Sequence, residues 1–175
     1  MEFEKLQQVV FDAGIVGAGG AGFPTHKKLA QGVKQIVVNA AECEPLMMVD
    51  HHVLAKHFRS VVDALGMLID VLGAEEAIIG IKGKNMHLLD KKVCEEIKGT
   101  NIKICEIPDI YPAGDEVVLV YETTGKIIPE GSIPLMVGVI VLNAETVYNI
   151  YSAVKKGEKV NVNINPEQVL DAETT

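Results

Sequence analysis

The sequence predicts an α/β fold in three layers, a mostly parallel sheet with helices on both faces. Three observations carry that prediction. Short apolar runs alternate with amphipathic, helix-length segments along most of the chain, the pattern of strands joined by crossover helices. The runs IVVNA, EAIIGIKG and VIVLNA are apolar almost without a break, as strands buried on both faces are. The segments that follow the strands, NAAECEP, KGKN, PDIYPAGDE and NAET, are rich in Asn, Asp, Glu and Gly. Chemistry in such folds collects in loops at the carboxyl ends of strands, so these segments read together as one site.

Each element has its own signal. FEKLQQVVFDA repeats apolar residues at helical spacing. A glycine-rich stretch follows. Pro24 suits a helix start, so PTHKKLAQ reads as a short helix. IVVNA is a β-branched strand, and AECEPLMMVD is a loop broken by Pro45. HHVLAKHFRSVVDALGMLIDVLG is a long amphipathic helix closed by Gly73. After the strand EAIIGIKG, a helix is expected over residues 85–99, capped by Asn85 and stopped by Gly99. IKICEIPD is a third strand, YPAGDE a turn and EVVLVYETTG a helix. KIIPEGSIPLMVG is irregular, VIVLNA is the fourth strand, and ETVYNIYSAVKKG is the last helix. The chain of 175 residues suffices for one compact domain. Residues 1–158 are assigned to it, and 159–175 to a strand stub and polar tail.

Composition narrows the function. A net charge of −8 argues against a nucleic-acid binder, which needs a cationic face. An anionic cofactor remains compatible, because backbone amides supply positive potential locally. The amphipathic N-terminus MEFEKLQQ is no signal peptide. The run IPLMVGVIVL is about half the length a membrane span needs. Three cysteines, Cys43, Cys94 and Cys105, lack short spacing. They fit a reducing cytoplasm and exclude a local cluster built on Cys-x-x-Cys. Cys94 and Cys105 read as small core residues. His51, His52 and His57 read as surface residues of the long helix, since a five-residue separation is poor for a shared metal.

The stretch GIVGAGGAGFPTHKK, from Gly14 to Lys28, carries five glycines within nine residues. Gly17-x-Gly19-x-x-Gly22 matches the spacing of a dinucleotide-binding turn, but the preceding segment reads as helix, and that turn must follow a strand. No Gly-Lys-Ser/Thr follows, which removes a P-loop. What remains is a glycine loop able to approach a flat or anionic ligand without Cβ clash, with Lys28 reaching back as a point charge, or a flexible linker or helix crossing. Lys82 and Lys84 lie near anionic cofactor groups or are solvated.

GAGGAGFPTHKK, then NAAECEP, YPAGDE and NAET, in that order, resemble the flavin- and NADH-binding subunit of respiratory complex I. The likeness is closer to the C subunit of the Rnf electron-transport complex, and it covers about Ala13 to Val154. It implies a Rossmann-like fold of the complex I FMN-binding-domain type, with FMN across the carboxyl end of the sheet and NADH as hydride donor. Carried over, Gly17, Ala18, Gly19, Gly20 and Lys28 contact the flavin, and Asn39 lies beneath its rings. Asn143 and Thr146 hold the phosphate end or only cap the last helix. Glu42, Gly114, Asp115 and Glu116 complete the cofactor set, with Tyr111 packed nearby. Phe23, Glu44 and Glu116 serve the nicotinamide nucleotide as a ring contact and acceptors. No side chain is expected to act as nucleophile or base, since the cofactor carries the chemistry. Ala18 and Ala41 stand where the complex I pattern has Arg and Asp, which favours the Rnf type. Cys43 is read as a small buried residue of the loop.

The Rnf-type protein continues into a β-grasp domain and a cysteine-rich domain with two clusters. The resemblance implies that residues 159–175 begin the β-grasp region and that this chain holds no iron–sulfur cluster. Electrons would pass to further domains or to an iron–sulfur partner in a membrane-associated redox complex. The expected location is the cytoplasm, at or near the cytoplasmic face of the membrane. The alternative is a non-catalytic nucleotide- or flavin-binding module that assembles a larger redox complex.

Overall fold

The computed structural model describes residues 1–18, 22–41 and 49–160. In chain order they form α1 (Phe3–Asp12), α2 (Thr25–Lys28), β1 (Gln35–Ala40), α3 (Val49–Leu72), β2 (Glu76–Lys82), α4 (Lys91–Glu96), β3 (Ile102–Ile107), α5 (Glu116–Thr124), β4 (Val139–Asn143) and α6 (Ala144–Lys156). The four strands make one parallel sheet in the order β3-β2-β1-β4.

Alternation along each strand divides the core into two layers. Ile36 and Val38 of β1, Ile79 and Ile81 of β2, and Ile140 and Leu142 of β4 face one side. They are buried there with Leu6 and Val10 of α1, Leu54, Leu65 and Leu68 of α3, and Val147 and Ile150 of α6. Val37, Val139, Val141 and Ile107 face the other side, where Leu119 and Val120 of α5 cover them. The expected three-layer α/β architecture is therefore present, with one helix layer much thicker than the other.

Gly80 sets how closely α5 can lie on the sheet. A Cβ at this position would stand 2.7 Å from Leu119 Cδ1 and 3.1 Å from Thr123 Cγ2. The absence of a side chain on β2 is what lets the fully buried Leu119 pack against it. This matters for the site, because the N-terminus of α5 forms one of its walls.

Asp115 caps α5, its Oδ1 accepting from Val117 N at 2.9 Å and Val118 N at 3.2 Å. The start of α6 is served differently. Asn143 occupies its cap position without a side-chain bond. The buried Asp50 of α3 instead accepts from Glu145 N at 2.9 Å. A carboxylate at a helix N-terminus also meets the positive end of the helix dipole.

The helix expected over residues 85–99 is replaced by two short elements. A 3₁₀ segment, Gly83–Leu88, precedes α4, and the cap of α4 is Asp90, which accepts from Lys92 N and Val93 N. Asn85 is buried and bonded to the His51 ring at 2.8 Å, so its side chain serves tertiary structure instead of capping. The helix expected over PTHKKLAQ is only the four residues of α2. His52 is exposed as expected, whereas His51 and His57 are half-buried, and His57 stacks on Tyr148 with ring centroids 4.4 Å apart. Cys94 and Cys105 are half-buried against the core layers, and burial pushes both thiols above their ordinary pKa. Among the described residues no helix is long and apolar enough to cross a membrane.

Candidate functional site

The glycine stretch leaves α1, a helix, and not a strand. It then closes on itself. Gly17 N donates to Phe23 O at 2.8 Å, and Thr25 N donates to Ile15 O at 3.2 Å. Gly22 completes the closure at φ +60°, a conformation that strongly favours glycine. Main-chain bonds thus fix the neck of the loop.

This loop faces a cleft of about 330 Å³ at the carboxyl edge of β1 and β4, within the size range of small-ligand sites. Gly17, Gly22 and Phe23 form one wall. Gly114, Asp115 and Glu116, at the start of α5, form the opposite wall. Asn39, Val141 and Asn143, which share the α5-side face of the sheet, line its floor. Parallel pairing places Asn39 directly opposite Asn143, so the two amides are held as neighbours by strand register.

Asn39 also ties floor to wall. Its Nδ2 donates to Gly114 O at 2.9 Å, and its Oδ1 accepts from Ala41 N at 3.1 Å. An amide retains one more donor and one more acceptor direction after those two bonds. Lys28 crosses the end of the cleft, and its Nζ meets Glu116 Oε1 at 2.8 Å.

A second cavity, of about 310 Å³, lies on the other side of that ion pair. It shares Phe23, Lys28 and Glu116 with the first cleft. The rest of its lining is mostly apolar, from Ile133, Pro134, Leu135 and Ile140. Ile133, Pro134 and Leu135 did not stand out in the sequence, because the irregular segment before β4 gave no periodicity that would place them beside the glycine loop.

The remaining expected residues sit as follows. Thr146 is fully buried, and its Oγ1 accepts from Ala18 N at 3.1 Å, so it anchors the glycine loop to α6. Tyr111 is 86 % exposed and lies outside the cleft lining. Lys82 and Lys84 both pair with Asp109, at 3.5 and 2.9 Å, beyond the end of β2. The Lys84 hydrogen bond is the main cause holding the Asp109 carboxyl below its ordinary pKa. Gly19, Gly20, Glu42 and Glu44 lie outside the described residues, as does Cys43. Among the described residues no group of three or more metal-ligating side chains comes together.

The donor set fits a phosphorylated flavin. Glycines on both walls let a planar ring approach main chain, Val141 offers an apolar floor, two amides offer donors and acceptors, and one lysine offers a cation.

Known proteins resemble this chain along most of its length. It is 38% identical to cobalamin reductase PduS of Citrobacter freundii over 153 residues, which are 87% of this chain and 34% of that protein. It is 33% identical over 161 residues to the C subunit of the Na(+)-translocating ferredoxin:NAD(+) oxidoreductase complex of Acetobacterium woodii, covering 90% of this chain and 36% of that relative. The chain thus spans about a third of the length of these curated relatives. Among solved structures, a chain of an air-oxidized NAD+-reducing NiFe hydrogenase superposes with a TM-score of 0.74. That superposition has 23% identity, covers 88% of this chain and 31% of the other, and shows a shared fold. The family model described as the Nuo51 FMN-binding domain matches residues 10–152. The chain belongs to the family of Nuo51 FMN-binding domains.

Proposed function

We propose that the cleft between the glycine loop and the start of α5 holds FMN and that the domain takes hydride from NADH for onward electron transfer. The observation that carries this reading is the pairing of two glycine-bearing walls over the Asn39–Asn143 floor, with Lys28 at one end. Gly17 and Gly114 would flank the ring system. Asn39 and Asn143 would bond its polar edge, and Lys28 would take the phosphate charge. Bound there, FMN would supply the two-electron acceptor for hydride.

The protein's own part is binding and positioning. Asn39 is fixed by Gly114 O and Ala41 N, so its amide is oriented before a ligand arrives. Phe23 stands between the two cavities and is half exposed. It would pack against a base of the dinucleotide, with Ile133 and Leu135 completing an apolar seat. Glu116 would accept from hydroxyl or amide donors of the same ligand. The names of the relatives, a cobalamin reductase and a subunit of a ferredoxin:NAD(+) oxidoreductase complex, support an electron-transfer role. An iron–sulfur partner or domain would receive the electrons from the flavin.

The test is reconstitution of the purified protein with FMN, followed by NADH without oxygen. Retained yellow chromophore that bleaches supports the reading. Retained flavin that NADH does not bleach supports an inert flavin-binding module instead. No retention at high FMN overturns both.

A further inference from the structure

The cleft presents a charge problem that the Lys28–Glu116 pair resolves. Among its described lining residues there is one cation, Lys28, against two carboxylates, Asp115 and Glu116. Asp115 is engaged with two N–H groups of α5. Lys28 is engaged by Glu116 at 2.8 Å, with both side chains partly exposed, 33 and 43 %. An incoming phosphate therefore meets a lysine that already has a counter-ion.

We propose that Glu116 is a built-in competitor for the phosphate: a phosphorylated flavin binds by drawing Lys28 off Glu116, exchanging one counter-ion for another. This rests on the FMN reading above and adds a positioning role to Glu116. The pair stands on the partition between the polar cleft and the apolar cavity, and both residues line both. Release of Lys28 toward the polar cleft leaves the Glu116 carboxylate facing the apolar cavity as an acceptor. One residue thus opposes the first ligand and serves the second. Coupling of this kind is a difference in binding free energy, measurable by removing the shared group.

The experiment titrates wild type, Glu116→Gln, Lys28→Gln and the double variant with FMN and with riboflavin, following flavin fluorescence. Calorimetric titration of the FMN-loaded proteins with NAD+ follows. A partly exposed ion pair sets the scale of the effect at about threefold. Glu116→Gln is expected to bind FMN about threefold more tightly, with riboflavin affinity unchanged. In the Lys28→Gln background the Glu116→Gln effect on FMN vanishes. On FMN-loaded protein, Glu116→Gln is expected to bind NAD+ roughly threefold more weakly. A merely structural role would move both ligands in the same direction. Circular dichroism confirms that each variant is folded.

FMN affinity that is unchanged or lowered in Glu116→Gln overturns the proposal, and so does an equal gain for riboflavin. Both leave the FMN reading standing. A folded wild-type protein that binds no FMN overturns the reading and the proposal together.

Discussion

Gly80→Ala places a methyl carbon 2.7 Å from Leu119 Cδ1, 3.1 Å from Thr123 Cγ2 and 3.7 Å from Val38 O. The first distance is shorter than any stable carbon contact, so Leu119 must move. It is fully buried, and Thr123 crowds the same methyl, which leaves little room for a rotamer change. Overpacking of this kind costs about 1–3 kcal/mol. Replacing glycine in a strand returns roughly 0.5–1 kcal/mol through the unfolded chain. A net loss of about 1–2 kcal/mol lowers the melting temperature by about 2–8 °C for a domain of this size. Calorimetric melting and urea unfolding measure it.

The cause is tested by a double-mutant cycle with Leu119→Ala. Alone, Leu119→Ala costs about 2–4 kcal/mol. On the Gly80→Ala background it should cost about 1 kcal/mol less, because the shortened side chain relieves the clash. The same displacement shifts the start of α5, so FMN affinity should fall with stability. A Gly80→Ala protein as stable as wild type, or strictly additive costs, refutes the argument that this glycine sets the height of α5.

Asp50→Ala removes the acceptor for Glu145 N and should cost about 1–2 kcal/mol, whereas Asp50→Asn keeps most of it; thermal melts of both decide. The Ser152 hydroxyl is buried without a partner among the described residues, so Ser152→Ala should gain roughly 0.5–1 kcal/mol in urea unfolding. The Glu76 carboxyl is held below its usual 4.5, first by the Lys103 hydrogen bond and then by Gln35. A depressed carboxylate contributes stability above its unfolded pKa and loses it as pH falls through the folded one. Glu76→Gln should therefore lose about 1 kcal/mol or less at pH 7 and less as the pH falls through the folded-state pKa; a loss that does not shrink with falling pH would contradict the assignment.

The parts of the fold that were readable are those whose signal is local. Ile36–Val38, Ala77–Ile81 and Val139–Leu142 announce buried parallel strands by unbroken apolar character, and the sheet contains them. The helix read over EVVLVYETTG is present as α5, and its cap, Asp115, lies next to the amides it serves. The same logic misplaced α4: Asn85 reads as its cap, but the Asn85 side chain bonds to His51 and Asp90 caps the helix instead. Within the site, Gly17, Phe23 and Lys28 of the glycine stretch meet Asn39, Glu116 and Asn143, each from a further motif, in one cleft. What stayed hidden is pairing at long range. Lys28 and Glu116 are 88 residues apart, and Asp50 and Glu145 are 95 apart. No periodicity reports such contacts, because they depend on strand order and on how closely α5 and α6 approach the sheet.

The central claim is that FMN occupies the cleft between Gly17 and Gly114, and equilibrium quenching of FMN fluorescence by wild type and Gly17→Leu tests it most directly. Gly17 has no positive φ, and among the described residues a Cβ there meets only Phe23 main chain at 3.6 Å or more, an ordinary contact, so the substitution is expected to leave the loop folded. A leucine would fill the cleft wall. The account predicts saturable FMN binding by wild type and at least a tenfold loss, about 1.4 kcal/mol, in Gly17→Leu with a nearly unchanged melting temperature. Equal FMN affinity in the two proteins, or none in wild type, would contradict it.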